Sequence, residues 1–316
     1  MAVPKKLAGL APQTYEHPSD NTALNALSKT PGLDRLVRAL NEWGFEPLLR
    51  VQLTGSYLHA LPDHFPDLTE VIAAACATLD VTPVPDLYIA AGGELNAATA
   101  GVRRPLIYVT SAAVELLTRE ELLFVIGHEV GHVKSSHVLY YQIAEYFPLI
   151  VESIPGGEFF GAPLRLALLR YKRMAEFTAD RAGLLACQDV DVALRALMKL
   201  AGLPHKYHGS INTADFIRQA REFQAMDSDK LNWVAKGLSV MGASHPWTVM
   251  RAQQLLQWID GGGYKAVLEN PTGGRPGLAA GPMFCNQCGN RLQGGEKFCS
   301  VCGRGIGSPP EQQRRA

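Results

Sequence analysis

The segment Gly127-His128-Glu129-Val130-Gly131-His132 constrains this chain more than any other, because it sets two imidazoles and a carboxylate on a stretch that reads as helix. Ahead of it, Thr118-Arg119-Glu120-Glu121 has the form of a capping box, and Leu122, Leu123, Val125 and Ile126 supply an apolar body without a helix breaker until Gly127. Side chains four apart on a helix differ by about 40° in azimuth and roughly 6 Å along the axis, so both rings reach one ion. Catalytic zinc typically takes three protein ligands and leaves a fourth position to water, whose pKa falls from ~15.7 to about 7. Glu129, beside the first His, can lean over the open side of such an ion, where a general base is needed. Taken alone, the same residues also suit two partly buried His on a core helix, so the question is whether a third ligand exists.

Downstream, Arg173-Met174-Ala175-Glu176-Phe177-Thr178-Ala179-Asp180-Arg181 lies in a second helical pattern that opens at Pro163 and runs through Leu166, Leu169, Met174, Phe177 and Leu184. Glu176 and Asp180 share a face. One carboxylate could bind an ion while the other holds a ligand imidazole in its tautomer; a solvated acidic pair balanced by Arg173 and Arg181 fits the same pattern.

In this order, the His-Glu-x-x-His and Glu-x-x-x-Asp helices resemble the HtpX and CaaX prenyl protease class of zinc metallopeptidases, peptidase family M48. By that resemblance His128, His132 and Glu176 are zinc ligands, Glu129 is the base, and Asp180 supports a ligand imidazole. Leu95-Asn96-Ala97-Ala98 is similar to the family's strand ahead of the active helix, Leu106-Ile107-Tyr108-Val109 to the strand that follows, and Ser244-His245-Pro246 with Arg251 to its late His-Pro-x-x-x-x-Arg element. The resemblance spans roughly residues 79–256. It implies an α+β fold, a mainly helical gluzincin-type metallopeptidase domain with a small β-sheet, and hydrolysis of peptide bonds in protein quality control or processing. Many members carry transmembrane helices, but no uninterrupted apolar run of the ~20 residues needed to span a bilayer stands before or between the ligand helices here. A soluble or peripheral branch is expected.

On this basis His245 is the candidate donor to the tetrahedral oxyanion, with Arg251 either holding it or adding charge directly. A helix cap or a satisfied buried His is the alternative role for His245. Residues 86–90, 96–101 and 105–110 alternate β-rich stretches with turn residues as a small meander would. An edge strand there would pair with an extended polypeptide, with Asn96, Ala97 and Ala98 against the substrate, although a purely structural hairpin has the same pattern.

Cys285, Cys288, Cys299 and Cys302 form two CxxC knuckles ten residues apart, each followed by Gly, and residues 283–305 resemble a zinc ribbon. Four thiolates make a closed site, so a second, structural zinc is expected to supply the folding free energy of a span this short. The ribbon is also a place for a protein partner. Cys76 and Cys187 read as small buried hydrophobes. Thiol ligands beside unpaired thiols suggest a reducing compartment, and the first residues have two lysines but no continuous hydrophobic export core. A cytoplasmic location, peripheral at the membrane at most, is expected.

Lys+Arg and Asp+Glu both number 30, so zero net charge argues against broad nucleic-acid or anionic-membrane binding. The 316 residues divide into an N-terminal helical segment (1–45) with one helix at 33–41, a zinc metallopeptidase domain (46–260), a Gly/Pro-rich linker (261–282), the ribbon (283–305) and a disordered tail (306–316). Within the domain, 48–58 reads as a strand, and helices are expected near 193–200, 214–225, 230–241 and 247–259. Residues 138–169, rich in Leu, Ile, Phe and Tyr, would cap the cleft, pack between the ligand helices or touch a membrane surface, burial being the expectation. Two functional classes follow: a zinc endopeptidase acting on unfolded or membrane-derived polypeptides, and a zinc-stapled scaffold that works through its ribbon.

Overall fold

A computed structural model describes residues 4–153, 161–210, 212–225 and 245–273. In chain order it contains α1 (Pro18–Ser28), α2 (Leu33–Trp43), α3 (Phe45–Ser56), β1 (Leu58–His59), α4 (Pro66–Leu79), β2 (Asp86–Ala90), β3 (Ala97–Ala100), β4 (Leu106–Thr110), α5 (Ser111–Leu116), α6 (Arg119–Lys134), α7 (Val138–Glu145), α8 (Phe147–Ser153), α9 (Ala162–Cys187), α10 (Val190–Leu200), α11 (Thr213–Ala225), α12 (Thr248–Asp260) and α13 (Gly263–Glu269). This is a mainly helical α+β chain with one small mixed sheet.

Local signals start the two central helices where expected. The Thr118 hydroxyl accepts from the Glu121 backbone N–H while the Glu121 carboxylate accepts from the Thr118 N–H, closing the capping box of α6. Pro163 occupies the first turn of α9. These two helices meet along a seam of minimal side chains. A Cβ placed on Gly127 would lie 2.3 Å from the Ala186 methyl, one on Gly131 would lie 2.5 Å from the Ala182 methyl, and one on Gly183 would lie 2.7 Å from the Phe124 carbonyl oxygen. Only glycine permits that approach. Around the seam, Leu79, Ile107, Phe124, Ile126, Leu184 and Leu197 build the main core. A second cluster joins Leu27 and Leu36 to Tyr140, Ile143, Leu168 and Tyr171.

The sheet order is β1-β2-β4-β3, with β2 parallel to β4 (Asp86 opposite Leu106) and β3 antiparallel to β4 (Ala97 opposite Val109). The expected meander is therefore corrected. β2 and β4 are the longer, more apolar strands and take the two interior places, as sequences buried on both faces do. The short, small-residue β3 is left at an edge.

Three further expectations change. Residues 48–58 are not a strand but mostly α3, because Leu49 and Leu53, four apart, both point into a small core while Val51 stays exposed. The first 45 residues hold α1 as well as α2, and they do not stand apart, since Leu7, Leu10 and Tyr15 belong to the main core. The 261–282 stretch begins with α13, whose Val267 is buried, so its first part is packed structure rather than a tether. Within 138–169, α7 and α8 bury Tyr140, Ile143, Phe147 and Ile150, as burial would require, while Leu149 and Leu166 remain exposed. The helix expected at 230–241, the ribbon with its four cysteines and the tail lie outside the described residues.

Gly127→Ala should lower stability by about 1–3 kcal/mol despite the better helix propensity of Ala, because the seam must open. Urea unfolding checks this, and the added change Ala186→Gly should restore most of the loss.

Candidate metal centre

The end of α6 and the middle of α9 bring the expected groups together. His128 Nε2 and His132 Nε2 are 3.2 Å apart, and the Glu176 carboxylate stands 3.7 Å from the first and 3.5 Å from the second. Bonds of about 2.0–2.1 Å from one tetrahedral zinc would separate its ligand atoms by roughly 3.4 Å, so these three donors have the spacing and the chemistry of a zinc site. A Glu129 carboxylate oxygen lies 4.0 Å from His128 Nε2, and Thr99 on β3 pins the carboxylate by donating to Oε2 at 2.7 Å. His128, Glu129 and His132 also form a compact buried trio. Neither Glu176 nor Asp180 is solvated: each is 1 % exposed, which removes the surface acidic pair as an explanation. Arg181 turns instead to the Tyr15 and Glu16 carbonyls.

Behind the first imidazole, His128 Nδ1 lies 3.0 Å from Asp180 Oδ1. Arg251 from α12 grips that carboxylate with two N–H groups, Nε at 2.8 Å and Nη2 at 2.6 Å, and sits 3.6 Å from Glu176. Its guanidinium therefore supports the carboxylates rather than standing over the cleft. His245 reaches the centre by another route: its Nε2 is 2.9 Å from the Tyr141 hydroxyl, which donates to Glu176 at 2.9 Å. Tyr141 had no assigned role from the chain alone. It is one of the tyrosines of 138–169 and stands one turn beyond His137 on α7. Asn96, Ala97 and Ala98 line a cleft beside the centre, opposite Tyr141, Lys172 and His245. Lys172 is buried there, paired with Glu145 and lying 4.4 Å over the Tyr141 ring.

The electrostatics suit metal binding. Burial, with His128 adding, lowers His132 to about 3, so its ring is neutral with a lone pair free. Burial opposes charge on His128, but the Asp180 hydrogen bond and Glu176 outweigh it and raise its pKa. Burial likewise opposes ionisation of Glu176 and Asp180, yet His132 and His128 beside the first and Arg251 beside the second hold both below the usual carboxylate range. Glu129 goes the other way: burial raises it, toward the range useful in a base. His245 is lowered, chiefly by burial.

Residues 62–259 match the model of a family described as Peptidase family M48. A plastoglobule-localized metallopeptidase 48, chloroplastic, of Arabidopsis thaliana is 32% identical over 258 residues, covering 81% of this chain and 75% of that protein. Protease HtpX homologs of Ralstonia pickettii and Moorella thermoacetica are 26% and 28% identical, covering 58% and 53% of this chain and 71% and 60% of their own lengths. No solved structure matches the chain significantly.

Arg251→Ala strands the buried Asp180 carboxylate and should destabilise the metal-free chain by about 3–5 kcal/mol in urea unfolding, with Arg251→Lys recovering only part because the two-point grip is lost. Asp180 and Glu176 are depressed in the folded state, so their contribution is complete above their ordinary values near pH ~4 and is lost as pH falls through the lower folded values. Unfolding curves at pH 6 and below 4 check the sign.

Proposed function

This chain belongs to peptidase family M48 and is a metalloprotease, and on that premise we propose that His128, His132 and Glu176 hold one zinc ion while Glu129 is the general base of peptide-bond hydrolysis. The observation that carries this is the mutual spacing of the three donors, 3.2, 3.7 and 3.5 Å, close to the edges of a zinc tetrahedron. Zinc bound there supplies Lewis acidity and brings a water near neutral pKa. Glu129, oriented by Thr99, takes a proton from the attacking water as the water oxygen bonds to the scissile carbonyl carbon. The C–N bond then breaks, and Glu129 returns the proton to the leaving amine nitrogen. His245 Nε2, 2.9 Å from the Tyr141 hydroxyl that donates to Glu176, is the donor assigned to the developing tetrahedral oxyanion. Arg251 acts through Asp180 and His128, as a positioning residue.

Substrate enters extended. Among the described residues β3 pairs with β4 alone, so its other edge is open to backbone pairing beside Asn96, Ala97 and Ala98. Recognition of this kind is largely indifferent to side chains and favours unfolded polypeptides, which supports a quality-control or processing role. Cys285, Cys288, Cys299 and Cys302 hold a second, structural zinc in a ribbon that recruits a protein partner. The pattern of thiols supports a reducing compartment such as the cytoplasm. Among the described residues no helix is long and apolar enough to cross a membrane; among the described residues of 138–169, exposed Leu149 and Leu166 are large apolar side chains available for a peripheral membrane contact.

Glu129→Gln should abolish cleavage of unfolded casein while bound zinc stays nearly unchanged; equal activity in variant and parent overturns the mechanism. Metal analysis should find two zinc ions per chain and one after truncation following Gly273, a cut that spares α13. A truncated chain that kept both would show that the ribbon region binds none.

A further inference from the structure

The second imidazole of the centre has a support that neither motif announces. His132 turns Nε2 toward His128 and Glu176, so its Nδ1 must carry the proton when Nε2 binds a metal. That Nδ1 lies 3.0 Å from His137 Nδ1, and His137 Nε2 lies 2.9 Å from Asp20 Oδ2, which also accepts from the Thr178 hydroxyl at 2.7 Å. With a neutral His137, one proton assignment satisfies every step. His132 Nδ1–H donates to a bare His137 Nδ1, and His137 Nε2–H donates to the carboxylate. The opposite tautomer of His137 would set a bare ring nitrogen against a carboxylate oxygen. Asp20 and His137 are buried, at 4 % and 2 % exposure, so water does not substitute for either.

We propose that Asp20 and His137 are positioning residues for His132, holding its ring by an Asp–His–His relay so that the N-terminal segment is a working part of the metal centre. The relay is the counterpart of the direct Asp180–His128 contact, with one imidazole interposed. Asp20 sits on α1, which packs on α9, and it precedes the 62–259 stretch that matches the family model. Thus a carboxylate from outside the matched region completes the support of a residue inside it. Outer partners of this kind fix the tautomer and orientation of ligand imidazoles, and their loss typically weakens metal binding by about 10–100-fold.

The inference rests on His132 being a zinc ligand, and its test separates the two. In the full chain, zinc affinity is measured by competition with a chelator, and the visible absorption of the cobalt-substituted protein reports ligand geometry. Asp20→Ala and His137→Phe should weaken zinc binding by about 10–100-fold and change the cobalt bands. Asp20→Asn, nearly isosteric and with an acceptor oxygen retained, should fold as the parent does and give a smaller change in the same direction. Parent-like affinity and cobalt spectra in Asp20→Asn and in whichever of the other two variants folds would overturn the relay. Should His132→Ala bind zinc as tightly as the parent, His132 is no ligand and the assignment of the site itself fails.

Discussion

Two helices can bring polar side chains to a common point only if their backbones approach closely, and α6 and α9 do so because Gly127, Gly131 and Gly183 face alanines or backbone. With a Cβ at any of these positions, contacts of 2.3 to 2.7 Å would force the helices apart. His128 and His132 flank Gly131 on one helix, and Glu176 and Asp180 precede Gly183 on the other, so the seam that excludes side chains also sets the distance between the donors. The main core on either side keeps it closed. A change of an ångström there would pull Glu176 away from both imidazoles without touching any of the three.

Gathering Glu129, Glu176, Asp180 and two imidazoles in a buried site is costly unless the charges are matched. The fold supplies its compensation from a distance. Arg251 comes from α12 to hold Asp180 and approach Glu176, Thr99 comes from the sheet to hold Glu129, and Tyr141 comes from α7 to hold Glu176. Each support arrives on a different element, so the helices and strand around the seam are needed for the site as well as for the core.

The chain disclosed the parts that are local. His-Glu-x-x-His, the capping box and the Pro163 start depend on spacings within a turn or two of helix, and all three are present as expected. Glu176 and Asp180 were legible because a second helix repeats the four-residue interval, although only resemblance joined them to the first. What escaped depends on distant pairing. Residues 48–58 have the β-branched and apolar content of a strand, but Leu49 and Leu53 find a core on one helical face. The order of the strands turns on which of them other elements bury, and no run of residues states that. Tyr141 and Asp20 gave no sign either: an ordinary tyrosine and a first-turn acid acquire meaning only from partners brought in by the fold.

Asp20 and Thr178 are separated by 158 positions in the chain and bonded in the fold. Closing so long a loop has an entropic cost that is met only once α1 has docked on α9. A polypeptide in which those helices have yet to meet therefore lacks the Asp20 contacts to Thr178 and His137, and with them the side of the centre that lies behind His132.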